Sequence, residues 1–511
     1  MYMKLFARCA LFLALGTLAS CSDKFLEQTP TDVLTNANFF RTESDAQSAL
    51  IGAYAILQSE STYGNVVDAA NLDWTMSGDL YEQDQNTPRV QLEMLSLPAD
   101  NLYIGQMYSA LFQGVSRTNF VITRVGQMTN LAPQTKAVIL AQAKFLRALF
   151  YYKLVTYFGG VSLVTTELNA SSKLDIPRSS AQDVWKLVEA DLMEAAATLP
   201  AAWQANADIG RATKGAALAF LVRSYLWEQK YTEAVTASEQ LAGLNIYGLL
   251  TNFRDVFRKN NENNREIVFS TQYSSVSDGS EGSGLDVRSA PRGAPAAFIG
   301  RGANSNFVPQ TAWINALERD VNGRIKDLRY WGVIIGPGEP HQDMTAFIMP
   351  LTFPNPYTKT GYIVTKYWFE PNLVSNPQNA PIVRYSEALL NYAEALNETG
   401  RSTDAMRQVN IVRARAGLAA KSLTLTKDQV LDAIFYERRI EFPWEPTGAF
   451  TDLNRRGRFM DFIRINRADY ANIQVGTKPW LNQRPILLPI PQSAWDVNKS
   501  LVQNAGYPPF K

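Results

Sequence analysis

The segment Glu437-Arg438-Arg439-Ile440-Glu441 sets two carboxylates four residues apart with two guanidinium groups between them. On a helix, positions i and i+4 share a face, so the pair has the form of an acid/base couple. A glycosidase needs its two carboxyls about 5 to 9 Å apart across a cleft, one with a raised pKa. Neighbouring arginines act in the opposite direction and lower carboxylate pKa values. The segment therefore reads as a structural ion-pair network on a helix.

Nucleophilic and metal chemistry have little material to work with. The 511 residues include one histidine, His341, and two cysteines, Cys9 and Cys21. Ser-His-Asp and Cys-His catalysis have a single histidine to draw on, and the Cys₄, Cys₂His₂ and His₃ zinc sets each need several ligands that this chain does not contain. His341, within Gly338-Glu339-Pro340-His341-Gln342-Asp343, reads as a solvated histidine in a polar loop. No phosphate-binding or dinucleotide fingerprint precedes a helical pattern. With 49 Lys+Arg against 48 Asp+Glu, the net charge of +1 gives no field for a nucleic-acid partner.

Cys21 has a different meaning. Lys4 and Arg8, an apolar run from Ala10 to Leu15, and Leu18-Ala19-Ser20-Cys21 follow the order of a secretory leader ending in a lipobox. The apolar run is shorter than the roughly 20 residues of a spanning helix. Similarity to bacterial lipoproteins implies removal of residues 1–20 and acylation of Cys21. Several acyl chains, at about 0.8 kcal/mol per buried methylene, hold a folded domain at a membrane.

The elements that must position any site are mainly helices. Apolar spacing predicts them over Ser44 to Leu57, Met107 to Val125, Thr135 to Tyr157, Ala181 to Thr198, Ala212 to Glu228 and Thr232 to Leu241. Residues 63–102 read as a long polar loop. Shifting Ala217, Leu218 and Ala234 by 171 positions gives Ala388, Leu389 and Ala405, in a second helix–turn–helix with the same small residues. That spacing suggests tetratricopeptide-like hairpins. Residues 275–306 are dominated by Gly, Ser, Ala and Pro, with strand-like Glu266 to Ser270 and Gly361 to Tyr367 on either side. The expected organisation is a leader at 1–20, helical pairs over 21–243, an irregular insertion over 244–380, and a C-terminal helical region over 381–511.

The C-terminal third carries Arg384-Tyr385-Ser386-Glu387-Ala388-Leu389-Leu390-Asn391-Tyr392-Ala393-Glu394-Ala395, then Val409-Asn410 to Gly417, Glu437 to Glu441, Leu488-Pro489-Ile490-Pro491 and Gln503 to Tyr507. Upstream stand Phe39-Phe40, Ala49 to Tyr54, Phe145-Leu146-Arg147-Ala148 and Phe158-Gly159-Gly160-Val161. In this order, with the lipobox, the set resembles the SusD/RagB family of outer-membrane lipoproteins over nearly the whole mature chain. After Glu441 the text turns to Phe442-Pro443-Trp444-Glu445-Pro446, where relatives continue the helix. Ala505 stands where a proline is common.

The resemblance implies a mainly α fold: a tetratricopeptide-like scaffold, a large loop-rich ligand-binding portion and a few short strands. It implies a non-enzymatic, surface-exposed protein, lipid-anchored in the outer membrane, that binds oligosaccharides and delivers them to a SusC-like TonB-dependent barrel. Oligopeptide binding, as in the RagB branch, is the alternative, and a lipoprotein glycoside hydrolase is a third. No cofactor is implied; a structural calcium is compatible but nothing in the sequence points to one.

Sugar recognition needs flat aromatic faces for the C–H side of a ring and polar groups for its hydroxyls, on loops held by a rigid scaffold. Trp74 and Tyr81 bracket Asp79 in the first polar loop, followed by Asp84 and Gln85. Phe298 stands in the Gly-rich segment with little local core to enter. Trp313 follows in a helical TAWINAL, where burial is the expected fate, and Tyr330-Trp331 precede a strand-like Gly332-Val333-Ile334. Trp74, Asp79, Tyr81, Phe298 and Trp313 are the expected ligand contacts.

Overall fold

The computed structural model describes residues 40–59, 61–63, 71–81, 86–168, 172, 175–274, 282–285, 290–295, 308–350, 357–368, 376–446, 448–467 and 469–511. Cys21 and Phe298 lie outside them. Sixteen helices are described, α1 to α16 in chain order, and the scaffold is a stack of seven. They are α4 (Leu102–Gln127), α5 (Pro133–Phe158), α6 (Ala181–Thr198), α7 (Lys214–Trp227), α8 (Tyr231–Ala242), α11 (Tyr385–Glu398) and α12 (Ser402–Arg415). Each packs on the next, and α8 meets α11 across the insertion.

Side-chain caps start three of these helices, α4, α6 and α7. The Asn101 side chain accepts from the Tyr103 and Ile104 amides, and Thr213 accepts from Ala216. Close approach in the stack depends on small residues. A Cβ on Gly114 of α4 would sit 2.6 Å from the Phe150 ring of α5.

The 171-residue offset survives into the backbone. Helices α7 and α11 begin at Lys214 and Tyr385, and α8 and α12 at Tyr231 and Ser402. The turns match bond for bond. Lys230 N–H donates to Tyr225 O and Arg401 N–H to Leu396 O, both at 2.8 Å. The residue before each donor is left-handed: Gln229 at φ 60° and Gly400 at φ 84°.

The insertion is pinned at its base by antiparallel pairing of β2 (Ile267–Thr271) with β6 (Ala380–Arg384), from Ile267↔Arg384 to Thr271↔Ala380. Inside it, Ala290, Ala294, Ile335, Phe347, Met349, Ile363 and Trp368 form a small core of their own. His341 belongs beside that core and is fully buried, not solvated as its polar neighbours suggested. The Pro340↔Ile348 bridge folds the loop back and sets the imidazole 4.7 Å from the Trp368 ring. Tyr330 and Trp331 lie on a short helix, α10 (Leu328–Val333), instead of a strand.

The expected long loop over 63–102 is also more ordered than its composition indicated. It contains α2 (Asn71–Ser77), the two-residue strand β1 (Leu80–Tyr81) and α3 (Thr87–Glu93). Strand β1 pairs with β3 (Val308–Pro309), so Tyr81 lies opposite Val308 and the first polar segment meets residues that follow the Gly-rich one in the chain.

A buried charge network joins insertion to scaffold. Arg384 donates to Glu266 (2.7 Å), Glu441 (2.9 Å) and Glu445 (2.7 Å), while Arg329 and Arg413 both reach Glu437. Burial alone would raise the Glu441 pKa; Arg415, Arg384 and Arg329 outweigh it and hold the carboxyl well below the usual range. The partners come from other elements, so the Glu437–Glu441 segment is a tertiary ion-pair hub.

Candidate functional site

A cleft of about 370 Å³ opens between α13 (Lys427–Glu441) and the pair α14 (Ala449–Arg455) and α15 (Phe459–Asn466), with Trp74 of α2 at its floor. Helix periodicity builds both walls. Asp432, Phe435, Tyr436 and Arg439 recur at i, i+3, i+4 and i+7 on α13, and Phe462, Ile465 and Asn466 at i, i+3 and i+4 on α15. A Thr426/Gln429 capping box starts α13.

The floor is fixed by one close approach. A Cβ on Gly448, which precedes α14, would sit 2.1 Å from Asp73 Cβ, so only glycine lets α2 seat against the start of that helix. Asp73 accepts from Tyr157 Oη (2.9 Å) and Thr451 Oγ1 (2.5 Å), and burial pushes its pKa up to about 6 against those bonds. Trp74 Nε1 donates to Glu445 O at 3.0 Å, which orients the indole.

The walls combine apolar faces with polar rims. Ile465 is 76% exposed, and Phe435, Tyr436 and Phe462 are half-buried. The Arg439 guanidinium lies 4.8 Å from the Phe462 ring centre, and Arg458 lies 5.9 Å from that of Phe435. Arg458 spans to Asp432 at 2.8 Å, linking the base of α15 to the face of α13. Behind Arg438 and Asp452 lies a smaller polar cavity of about 30 Å³, reached by Lys153, whose pKa burial lowers to about 7.

Three of the five expected contacts converge here, though as foundations of the cleft. Asp79 grips Arg439, and Trp313 Nε1 donates to Arg439 O at 3.1 Å. Both side chains are buried, and neither lines the opening. Trp74 lines it, with 1% of its surface exposed. Tyr81 is placed by its backbone pairing alone, and Phe298 lies outside the described residues. The exposed Asp432, Asp461 and Ile465 and the half-buried Phe435, Arg458 and Phe462 were not singled out from sequence. The i, i+3 aromatic and polar spacing on the two segments that form α13 and α15 was the available signal. Glu437 and Glu441, fully buried, face Arg329, Arg413, Arg384 and Arg415, not the cleft.

Among the described residues no group of three or more His, Cys, Asp or Glu is arranged to hold a metal ion. Nor is any of their helices long and apolar enough to cross a membrane.

Fold and cleft together define a helical-repeat scaffold with a loop-rich insertion and a cleft between α13 and the α14–α15 pair. Two family models match the chain: the SusD family over residues 349–507, and a model described as starch-binding, associating with the outer membrane, over residues 24–226. SusD-like protein P38 of Formosa agariphila is 27% identical, the alignment covering 97% of this chain and 98% of that protein. The crystal structure of a SusD superfamily protein from Bacteroides vulgatus superposes with a TM-score of 0.77 at 22% identity, covering 92% of this chain and all of that one. Surface glycan-binding protein A from Bacteroides uniformis superposes with a TM-score of 0.72 at 21% identity, covering 91% of this chain and all of that one. The chain is similar to SusD-like proteins over nearly its whole length.

Proposed function

We propose that this chain is a surface-exposed, lipid-anchored protein of the outer membrane that captures an oligosaccharide and passes it to a SusC-like TonB-dependent barrel. The observation that carries the binding step is the meeting, around one opening, of the apolar Phe435/Tyr436 and Phe462/Ile465 faces with exposed Asp432 and Asp461 and half-buried Arg458. A pyranose presents the same two surfaces, a C–H face and a hydroxyl rim. In this reading Trp74 supplies the floor, Asp79 and Trp313 act through Arg439, and Tyr81 and Phe298 keep the ligand-contact role that their sequence context suggests. The family model described as starch-binding and the glycan-binding protein of Bacteroides uniformis support a sugar as the ligand.

Anchoring rests on the lipobox ending at Cys21 and on family resemblance, as does transfer to the barrel. No catalytic step is assigned. Incubation with labelled glycans tests the reading. Retention without shortening supports it, product formation would make the protein a hydrolase, and binding of peptides alone would replace sugar with oligopeptide. In cells, Cys21→Ser is expected to release the protein from the membrane fraction.

A further inference from the structure

The charges of the cleft are matched before any ligand enters. Three guanidinium groups line it, and each meets a carboxylate: Arg438 with Asp452 at 2.6 Å, Arg439 with Asp79 at 2.5 Å, Arg458 with Asp432 at 2.8 Å. The third acidic lining residue, Asp461, pairs with Arg464 at 2.8 Å. Arg438, Arg439 and Arg458 against Asp432, Asp452 and Asp461 sum to zero, and adding Asp79 and Arg464 leaves the sum unchanged.

This pairing treats acidic and uncharged sugars differently. A uronate or sulfate ester must either displace a protein carboxylate from its guanidinium or sit beside Asp432 and Asp461, whose side chains are 66% and 67% exposed at the rim. Like charges brought together at a contact surface are disfavoured and suppress the wrong partner. A hydroxyl meets no such opposition. A paired carboxylate keeps lone pairs, and Arg458 gives Asp432 one Nη hydrogen bond out of its five N–H donors. The apolar walls add no preference for charge.

We infer that the cleft selects uncharged sugar units and rejects uronic acids and sulfated sugars, an inference that rests on the glycan-binding reading above. The decisive positions are Asp432 and Asp461, which occupy the rim where a ligand anion would look for a cation.

Affinity electrophoresis of the purified protein tests this. The gels would contain uncharged amylopectin, laminarin and galactomannan, and anionic alginate, pectate and dextran sulfate. The expected result is retardation by at least one uncharged glycan, with affinity changing less than about twofold between about 20 and about 500 mM NaCl, and none by the anionic ones. Asp432→Asn unpairs Arg458 at the exposed rim and is expected to create salt-sensitive retardation by alginate; no gain would overturn the pairing argument. Anionic glycans bound by the native protein and lost in Phe462→Ala would overturn the charge inference while leaving the site and the glycan reading intact. Retardation by no glycan, or retardation unchanged in both Phe462→Ala and Phe435→Ala, would bring down the parent reading itself.

Discussion

Asp79 and Arg439, 360 residues apart in the chain, form a buried bidentate contact, with Arg439 Nη2 2.5 Å from Asp79 Oδ1 and Nε 3.1 Å from both carboxylate oxygens. The pair ties the segment after α2 to the last turn of α13, and the same guanidinium supports the Phe462 ring. Removing one partner leaves the other charge buried and alone. Asp79→Ala or Arg439→Ala is expected to cost about 3–5 kcal/mol each. The double mutant should cost less than the two added, a coupling that urea denaturation of the four proteins would measure.

Phe462 and Trp313 separate binding from folding. Phe462→Ala removes a half-buried ring from the wall and is expected to weaken glycan binding about tenfold, with little change in melting temperature. Trp313→Ala empties a site that is 1% exposed and is expected to cost about 3–5 kcal/mol of stability. Isothermal titration with calorimetric melting of both variants distinguishes the two effects.

His341 makes the insertion sensitive to acid. Burial, then the charge of Arg254, lowers its pKa from the ordinary 6.5 to about 3. Its Nδ1 accepts from the Asp343 and Met344 amides at 3.1 and 2.9 Å, and Nε2–H donates to Trp368 O at 2.9 Å, so the neutral ring is the one that fits. The folded pKa lies below the unfolded one, so the unfolded chain takes up the proton first. Stability is fully present above pH 6.5 and is lost as pH falls toward 3, on the order of 4–5 kcal/mol over that window. Urea midpoints between pH 7 and pH 4 should fall less steeply in His341→Gln than in the native protein.

The two matched turns give a paired backbone test. Gly400→Ala places a Cβ in the left-handed region and is expected to cost about 1 kcal/mol, since nothing lies within 4 Å to clash with it. Gln229→Gly relieves the same strain in the other copy and should stabilise by about 0.5 kcal/mol. Opposite shifts in melting temperature are the expected result.

Much of the scaffold was readable from residue types alone. The helix over Ala181–Thr198 falls where its apolar spacing placed it, and the 171-residue repeat reappears in helix starts and turn bonds. These features depend on neighbours three to five residues apart, so local spacing carries them. What surrounds His341, Asp79 and Glu437 depends on chain segments far away in sequence. A polar loop can fold back over a histidine, and two carboxylates of one helix can receive their counter-ions from three other elements, α10, β6 and α12, with no trace in local composition.

The site divides along the same line. Sequence alone determined the lipobox, the near-neutral charge, the shortage of catalytic ligands and the family resemblance, because each is a property of composition or of short ordered motifs. It also selected Trp74, Asp79 and Trp313, which do meet around Arg439. Only the tertiary structure decided that Asp79 and Trp313 stand behind the cleft, and that Asp432, Phe435, Arg458 and Phe462 face its opening. Burial is assigned when helices pack, and the side of a helix left uncovered follows from where α2 and α14 to α15 come to rest against α13.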